Sequence, residues 1–151
     1  MSSSEQIRTA ILAVLNTVES IGLMYDREKY SKNAKKLAEF YMQDGFLSGG
    51  FIRRRSLVKE TPDTFTFIMK TNWEIELFRG FQESENSELA FDLMIDAIDE
   101  AFIADQTLGG VVDTTVTPDQ AGIRLVTSQP AMFGGVLVHY AKLSLITEHT
   151  E

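Results

Sequence analysis

Residues 73–102 read WEIELFRGFQESENSELAFDLMIDAIDEAF, and the hydrophobic period changes inside this stretch. Trp73, Ile75 and Leu77 alternate with Glu74 and Glu76, the two-residue repeat of a strand with one apolar face. Gly80 turns the chain. The polar run QESENS then launches apolar residues at helical spacing: Leu89, Leu93, Ile95, Ile98 and Phe102 on one side, Asp92, Asp96, Asp99 and Glu100 on another. The expected unit is a strand packed under an amphipathic helix spanning residues 85–104. Ser84 or Asn86 is placed to cap that helix, and Glu85 and Glu88 suit the positive end of its dipole.

The flanking sequence extends this unit. The strand can be followed back to residue 64, with Phe65, Phe67 and Met69 continuing the apolar alternation against Thr66, Lys70 and Asn72. Thr61-Pro62-Asp63 is turn chemistry, and before it residues 51–59 read as a partner strand. The polar side of this sheet is expected to be wet or covered by a partner. Upstream, Ile7, Ile11, Val14, Leu15, Val18 and Ile21 form a helical stripe over residues 4–21, with Ser2 and Glu5 at capping-box spacing and Gly22 as the stop. A short extended piece at 23–25 and a helix at 33–42, with Ala34, Leu37, Ala38 and Tyr41 on one face, fill the interval up to Gly45. Gly49-Gly50 reads as a flexible corner. Downstream, strands are expected near 111–116, 123–127 and 136–147, punctuated by Gly109-Gly110, Gly122 and Gly134-Gly135. Helices and strands are interspersed without repeated βα units. The predicted class is therefore α+β, a mostly antiparallel sheet packed against an N-terminal helix and one long central helix, in one domain over residues 1–151.

Composition narrows the function. The chain has 151 residues, no cysteine and a net charge of −8. Disulfides and thiolate metal sites are excluded. The N-terminus lacks a basic start and carries Glu5, Gln6 and Arg8 ahead of its apolar part, which argues against a signal peptide. No apolar run approaches the roughly 20 residues of a membrane span, so a soluble protein with no membrane partner is expected. Such a negative surface repels DNA, since tight non-specific binding needs several cations aimed at phosphates.

The residues that could carry chemistry do not assemble into a recognisable centre. The acidic residues of the long helix are the ordinary solvated face of an amphipathic helix, with no histidine nearby to complete a metal site. His139 lies in register with Leu137 and Ala141, where a structural hydrogen bond competes with a catalytic role. His149 sits in a polar tail and is expected to be solvated. Phosphate-binding loops, dinucleotide fingerprints and nucleophile elbows are absent from the sequence. The expectation is no catalysis, no metal and no cofactor.

Two features suit contact with other macromolecules. Arg53, Arg54 and Arg55 are the one dense basic spot. In a strand, Arg53 and Arg55 share a face and Arg54 takes the other. They either pair with acidic neighbours in the same chain or meet an acidic partner or passing DNA. The glycine-flanked apolar segments Phe46–Phe51 and Pro130–Gly135, which include Phe46, Phe51, Met132 and Phe133, either tuck into the core or form docking tips.

Four pieces of the chain, in this order and spacing, resemble the tail terminator (tail completion) proteins of long-tailed bacteriophages and related neck proteins. They are IRTAILAVLNTV; WEIELFRGF with SENSELAFDLMIDAIDEAF; LGGVVD; and VLVHYAKLSLITEHTE. Together they span about half the chain; residues 23–60 have no secure counterpart. The resemblance implies a non-enzymatic virion protein of the tail and neck, assembled in the host cytoplasm. It would form a homo-hexameric ring that caps the tail tube protein, stops its polymerisation and meets the head-completion or neck protein, with DNA passing through the lumen. Six copies would carry about −48, which lowers DNA sticking. A ring needs a head-to-tail contact. The candidates for it are Arg53, Arg54 and Arg55, the polar sheet residues Lys70, Asn72, Glu74 and Glu76, and the segments holding Phe46, Phe51, Met132 and Phe133. The alternatives are another neck component, such as a head–tail adaptor or stopper, and a small-molecule-binding α+β module or enzyme.

Overall fold

The computed structural model describes residues 3–29, 33–43, 45–81 and 86–151. In chain order the elements are α1 (Ser3–Leu15), β1 (Leu23–Tyr25), α2 (Ala34–Glu39), β2 (Met42–Gln43), β3 (Phe46–Glu60), β4 (Ile68–Gly80), α3 (Ser87–Ala104), β5 (Ile123–Phe133) and β6 (Val136–Thr150). The sheet has six strands, with the path β1-β3-β4-β6-β5 and β2 paired to β3. Among the described residues, only the β1–β3 pairing is parallel. The fold is α+β in one domain, with the N-terminal and central helices expected from the sequence. No helix among the described residues is long and apolar enough to cross a membrane.

The main core lies on one face of the sheet. Trp73, Ile75 and Leu77 of β4 meet Ile52 of β3 and Ala141, Leu143 and Leu145 of β6, and α1 and α3 cover them. Helix α1 contributes Ile7, Ile11, Val14 and Leu15, a stripe of three- and four-residue steps. It ends at Leu15, earlier than expected, because the chain tightens into i→i+3 turns: Val18 N–H donates to Leu15 O at 3.1 Å and Ile21 N–H to Val18 O at 3.2 Å. Val18 and Ile21 remain in the core through these turns. The proposed cap Ser2 lies outside the described residues.

Helix α3 rotates differently from the sequence expectation. Its buried residues are Phe91, Met94, Ile95, Ile98 and Phe102, whereas Leu89 and Leu93 are exposed. Leu89 and Leu93 each sit two positions from Phe91, on the opposite side of a helix that turns about 100° per residue. Asn86 occupies the N-cap position without a side-chain cap bond; Ser84 and Glu85 lie outside the described residues.

A second core sits on the opposite sheet face at one end. Phe51, Phe78 and Val138 meet Leu47, with Tyr41 and Ala38 closing the cluster. Phe78 stacks on Phe133 with centroids 4.0 Å apart, and Tyr41 meets Tyr25 edge-on at 5.2 Å. Burial pushes the Tyr41 phenol up to about 12. The short helix α2 stands beside this cluster, capped by Asn33, whose Oδ1 accepts from Lys35 N–H at 2.9 Å.

Four expectations need correction. Gly49-Gly50 is no corner; both residues lie inside β3. A Cβ at Gly49 would stand 2.0 Å from Leu23 O, and one at Gly50 would stand 1.9 Å from Glu76 O, so only glycine lets the neighbouring backbones approach this closely. Residues 64–67 precede β4, and Phe65 and Phe67 are exposed. Residues 111–116 form turns and bridges, Thr114 with Glu148 and Val116 with Ala121, in place of a strand. Pro130 to Phe133 belong to β5, an edge strand where proline is tolerated, and Gly134-Gly135 (φ 57° and 80°) make the tight turn into β6.

A candidate assembly surface

Away from the second core, the outer face of the sheet carries interlocked polar side chains. Register brings Arg53 opposite Glu74, and Glu74 opposite Ser144. The ladder shifts between Arg54 and Ser56, leaving Arg55 as the extra residue of a bulge. Its guanidinium reaches Glu74, with Nη1 donating to Oε1 at 2.9 Å, and Lys142 Nζ lies 4.0 Å from the same oxygen. Arg53 stands 3.6 Å from Glu28. Lys70 lies between Glu60 at 3.3 Å and Glu148 at 3.7 Å, and its pKa is raised chiefly by the bond to Glu60. Tyr140 donates to Glu76 Oε1 at 2.6 Å, and Ser144 Oγ donates to Asn72 Oδ1 at 3.0 Å. Burial, then the Glu76 bond, raises the Tyr140 pKa.

Six of the residues singled out from the sequence therefore share one face: Arg53, Arg55, Lys70, Asn72, Glu74 and Glu76. Arg54 is in register with Trp73 and takes the other face, as the alternation predicts; its side chain is exposed. The apolar candidates are dispersed. Phe51 is buried in the second core, and Phe133 packs against its rim. Phe46 is half-buried under the Arg79 guanidinium, 5.5 Å from its ring. Met132 alone of the four is strongly exposed, at 66%. Tyr140, Lys142 and Glu148 of β6 complete the polar face. Local sequence does not reveal them, because strand adjacency, which brings β6 beside β4, is not written in it.

This surface is broad and alternates in charge over short distances. The cationic partner of each ion pair is about a third or more exposed, so solvent screens the pairs and they add little to folding stability.

The histidines divide. His139 sits beneath the start of α3, its Nε2 2.8 Å from Ser87 Oγ and its ring 4.2 Å from that of Phe81. Burial lowers its pKa, which favours the neutral ring at pH 7. The contact ties the start of α3 to β6, in keeping with the structural reading. His149 is a correction: it is buried in β6, opposite Met69, because the strand runs on to Thr150. Its Nε2 lies 3.5 Å from Glu151.

Neither protein-family models nor curated protein sequences show a match to this chain.

Proposed function

We propose that this chain is a structural virion protein that assembles into a ring, of six copies by analogy with phage tail terminators, at the head-proximal end of a tail tube. The observation that carries this reading is the way the four pieces resembling that family meet. The N-terminal helix supplies Ile7 and Ile11; β4 supplies Trp73 and Ile75; α3 supplies Phe91 and Ile98; the turn after it supplies Leu108 and Val112; and β6 supplies Leu143 and Leu145. Segments from both ends of the chain thus build one core, as expected of elements in a fixed order that serve one fold. The polar outer face supports the reading, because a ring subunit needs surfaces left for neighbours. The net charge of −8 suits a lumen through which DNA slides.

In this role the ring ends tube growth, offers its far side to the head-completion protein, and performs no bond-making chemistry. Electron microscopy of tails assembled with and without the protein tests it. Tubes of uncontrolled length in its absence support the terminator role. Tails of normal length that lack heads would move the protein to an adaptor or stopper position, and unaltered virions would overturn the assembly reading.

A further inference from the structure

Two exposed apolar patches of opposite charge lie on different elements of the chain. The first runs along the outer edge of β3 into the following turn, where Leu57, Val58, Phe65 and Phe67 are exposed. Residues 53–67 carry four positive charges, at Arg53, Arg54, Arg55 and Lys59, against two negative ones, at Glu60 and Asp63. Phe65 is 89% exposed. The turn holds it in place: Phe65 N–H donates to Asp63 Oδ1 at 2.8 Å, and Thr66 Oγ1 donates to Asp63 Oδ2 at 3.1 Å.

The second patch is the outward side of α3. Leu89 and Leu93 are 55% and 68% exposed, among Asp92, Asp96, Asp99 and Glu100. The helix contains no lysine or arginine. Beside Leu93 a groove of about 630 Å³ runs between α3 and the turns after α1, with Val18, Ala90, Met94 and Ala97 in its wall and Glu19 and Glu100 at its rim. Arg79 closes one end, its Nη1 donating to Ser20 O at 3.3 Å.

The geometry points to these patches as the two halves of one subunit contact: Phe65 of one copy seats in the groove between α3 and the turns after α1 of the next, and Arg54 and Lys59, which share a face of β3, lie along that copy's acidic helix. This rests on the ring reading and names the surfaces that build the ring. The occupant is a second copy because the patches complement each other in charge and in apolar character. Their lengths agree as well. Arg53 to Glu60 extends about 23 Å at strand rise, and α3 about 27 Å at helix rise. A well-exposed aromatic seated in a groove and ringed by charge is the usual anatomy of an interface anchor. The halves are different surfaces, so the contact is head-to-tail and closes into a ring when its rotation allows.

The chain has no cysteine, so Phe65→Cys and Leu93→Cys each introduce one thiol. The two full-length variants are mixed in equal amounts, oxidised, and the dimers sorted by intact mass. The mixed disulfide should form at least about tenfold faster than either self-dimer, and than the pair Leu93→Cys with Asp119→Cys. A mixed rate equal to that control overturns the contact, whether or not the protein forms rings. In parallel, Phe65→Asp and Leu93→Lys should each abolish assembly, while their mixture should give a dimer and nothing larger, because one intact contact joins the two. Rings that persist in both variants would place the contact elsewhere and leave the ring reading standing; tails of normal length without the protein would remove that reading independently.

Discussion

Trp73 and Thr147 are joined by a hydrogen bond inside the core: the indole Nε1–H donates to Thr147 Oγ1 at 3.0 Å, and both residues are fully buried. The bond crosses from β4 to its neighbour β6 on the face that α1 and α3 cover. Thr147→Val keeps the shape and removes the acceptor. An unpaired buried N–H costs about 1–3 kcal/mol, so urea unfolding should show a loss of that size. Trp73→Phe in the Thr147→Val background should cost less than Trp73→Phe alone, because the orphaned donor leaves with the indole. Equal costs in the two backgrounds would show that the bond carries no net energy.

Gly50 should be the least replaceable glycine of β3. A Cβ there meets Glu76 O at 1.9 Å, a backbone atom that cannot swing aside. Gly50→Ala is expected to destabilise by at least about 3 kcal/mol, in the range of severe overpacking. Gly45→Ala is the comparison. Its φ of 77° carries a modest penalty of about 1 kcal/mol, but nothing lies within 4 Å of the added carbon. Thermal unfolding of the two variants should separate them clearly; similar melting points would mean that β3 and β4 can move apart.

The period switch at Gly80 was legible because both elements there obey simple repeats, and β4 and α3 follow it. The rotation of α3 was harder to read. Leu89, Phe91, Leu93, Met94 and Ile95 crowd one stretch, and two different apolar stripes can be drawn through them. The sheet selects the one containing Phe91 and leaves Leu89 and Leu93 outside. Gly49 and Gly50 looked like punctuation because the backbones that demand them, at Leu23 and Glu76, are distant in sequence. His149 looked like tail until its pairing with Met69 placed it in a strand. Of the outer-face residues, those on β3 and β4 follow from alternation along the two strands. Tyr140, Lys142 and Glu148 do not, since nothing local reveals which strand lies beside β4.

Stability should fall on mild acidification, with His139 contributing. Its folded pKa is lowered, chiefly by burial, from the ordinary value of 6.5. The unfolded chain therefore takes up a proton at a higher pH than the folded one. The sign follows from linkage: this residue subtracts nothing above about pH 6.5, and stability is lost as pH drops from there through the folded pKa. His139→Gln should flatten the part of the profile just below pH 6.5, leaving the carboxylate-driven losses at lower pH. Urea midpoints at closely spaced pH values measure this. An unchanged slope in the variant would assign that part of the profile to other groups.

Charge reversal at Arg53 and Arg55 separates folding from assembly. Both guanidinium groups are more than half exposed, and their partners Glu28 and Glu74 are held at 3.6 Å and 2.9 Å. Exposed pairs of this kind contribute about 0–1 kcal/mol each, so Arg53→Glu with Arg55→Glu should lower stability only slightly, although repulsion at Glu74 adds to the loss. Across a subunit contact the same two changes replace attraction to an acidic surface by repulsion, and their effect grows at low salt. Light scattering at matched concentration should show a lower oligomer mass for the double variant, with the difference narrowing as salt rises. Its circular dichroism and melting curve should stay close to those of the parent. A folded double variant that keeps the parental mass at low salt would show that these arginines face solvent in the assembly.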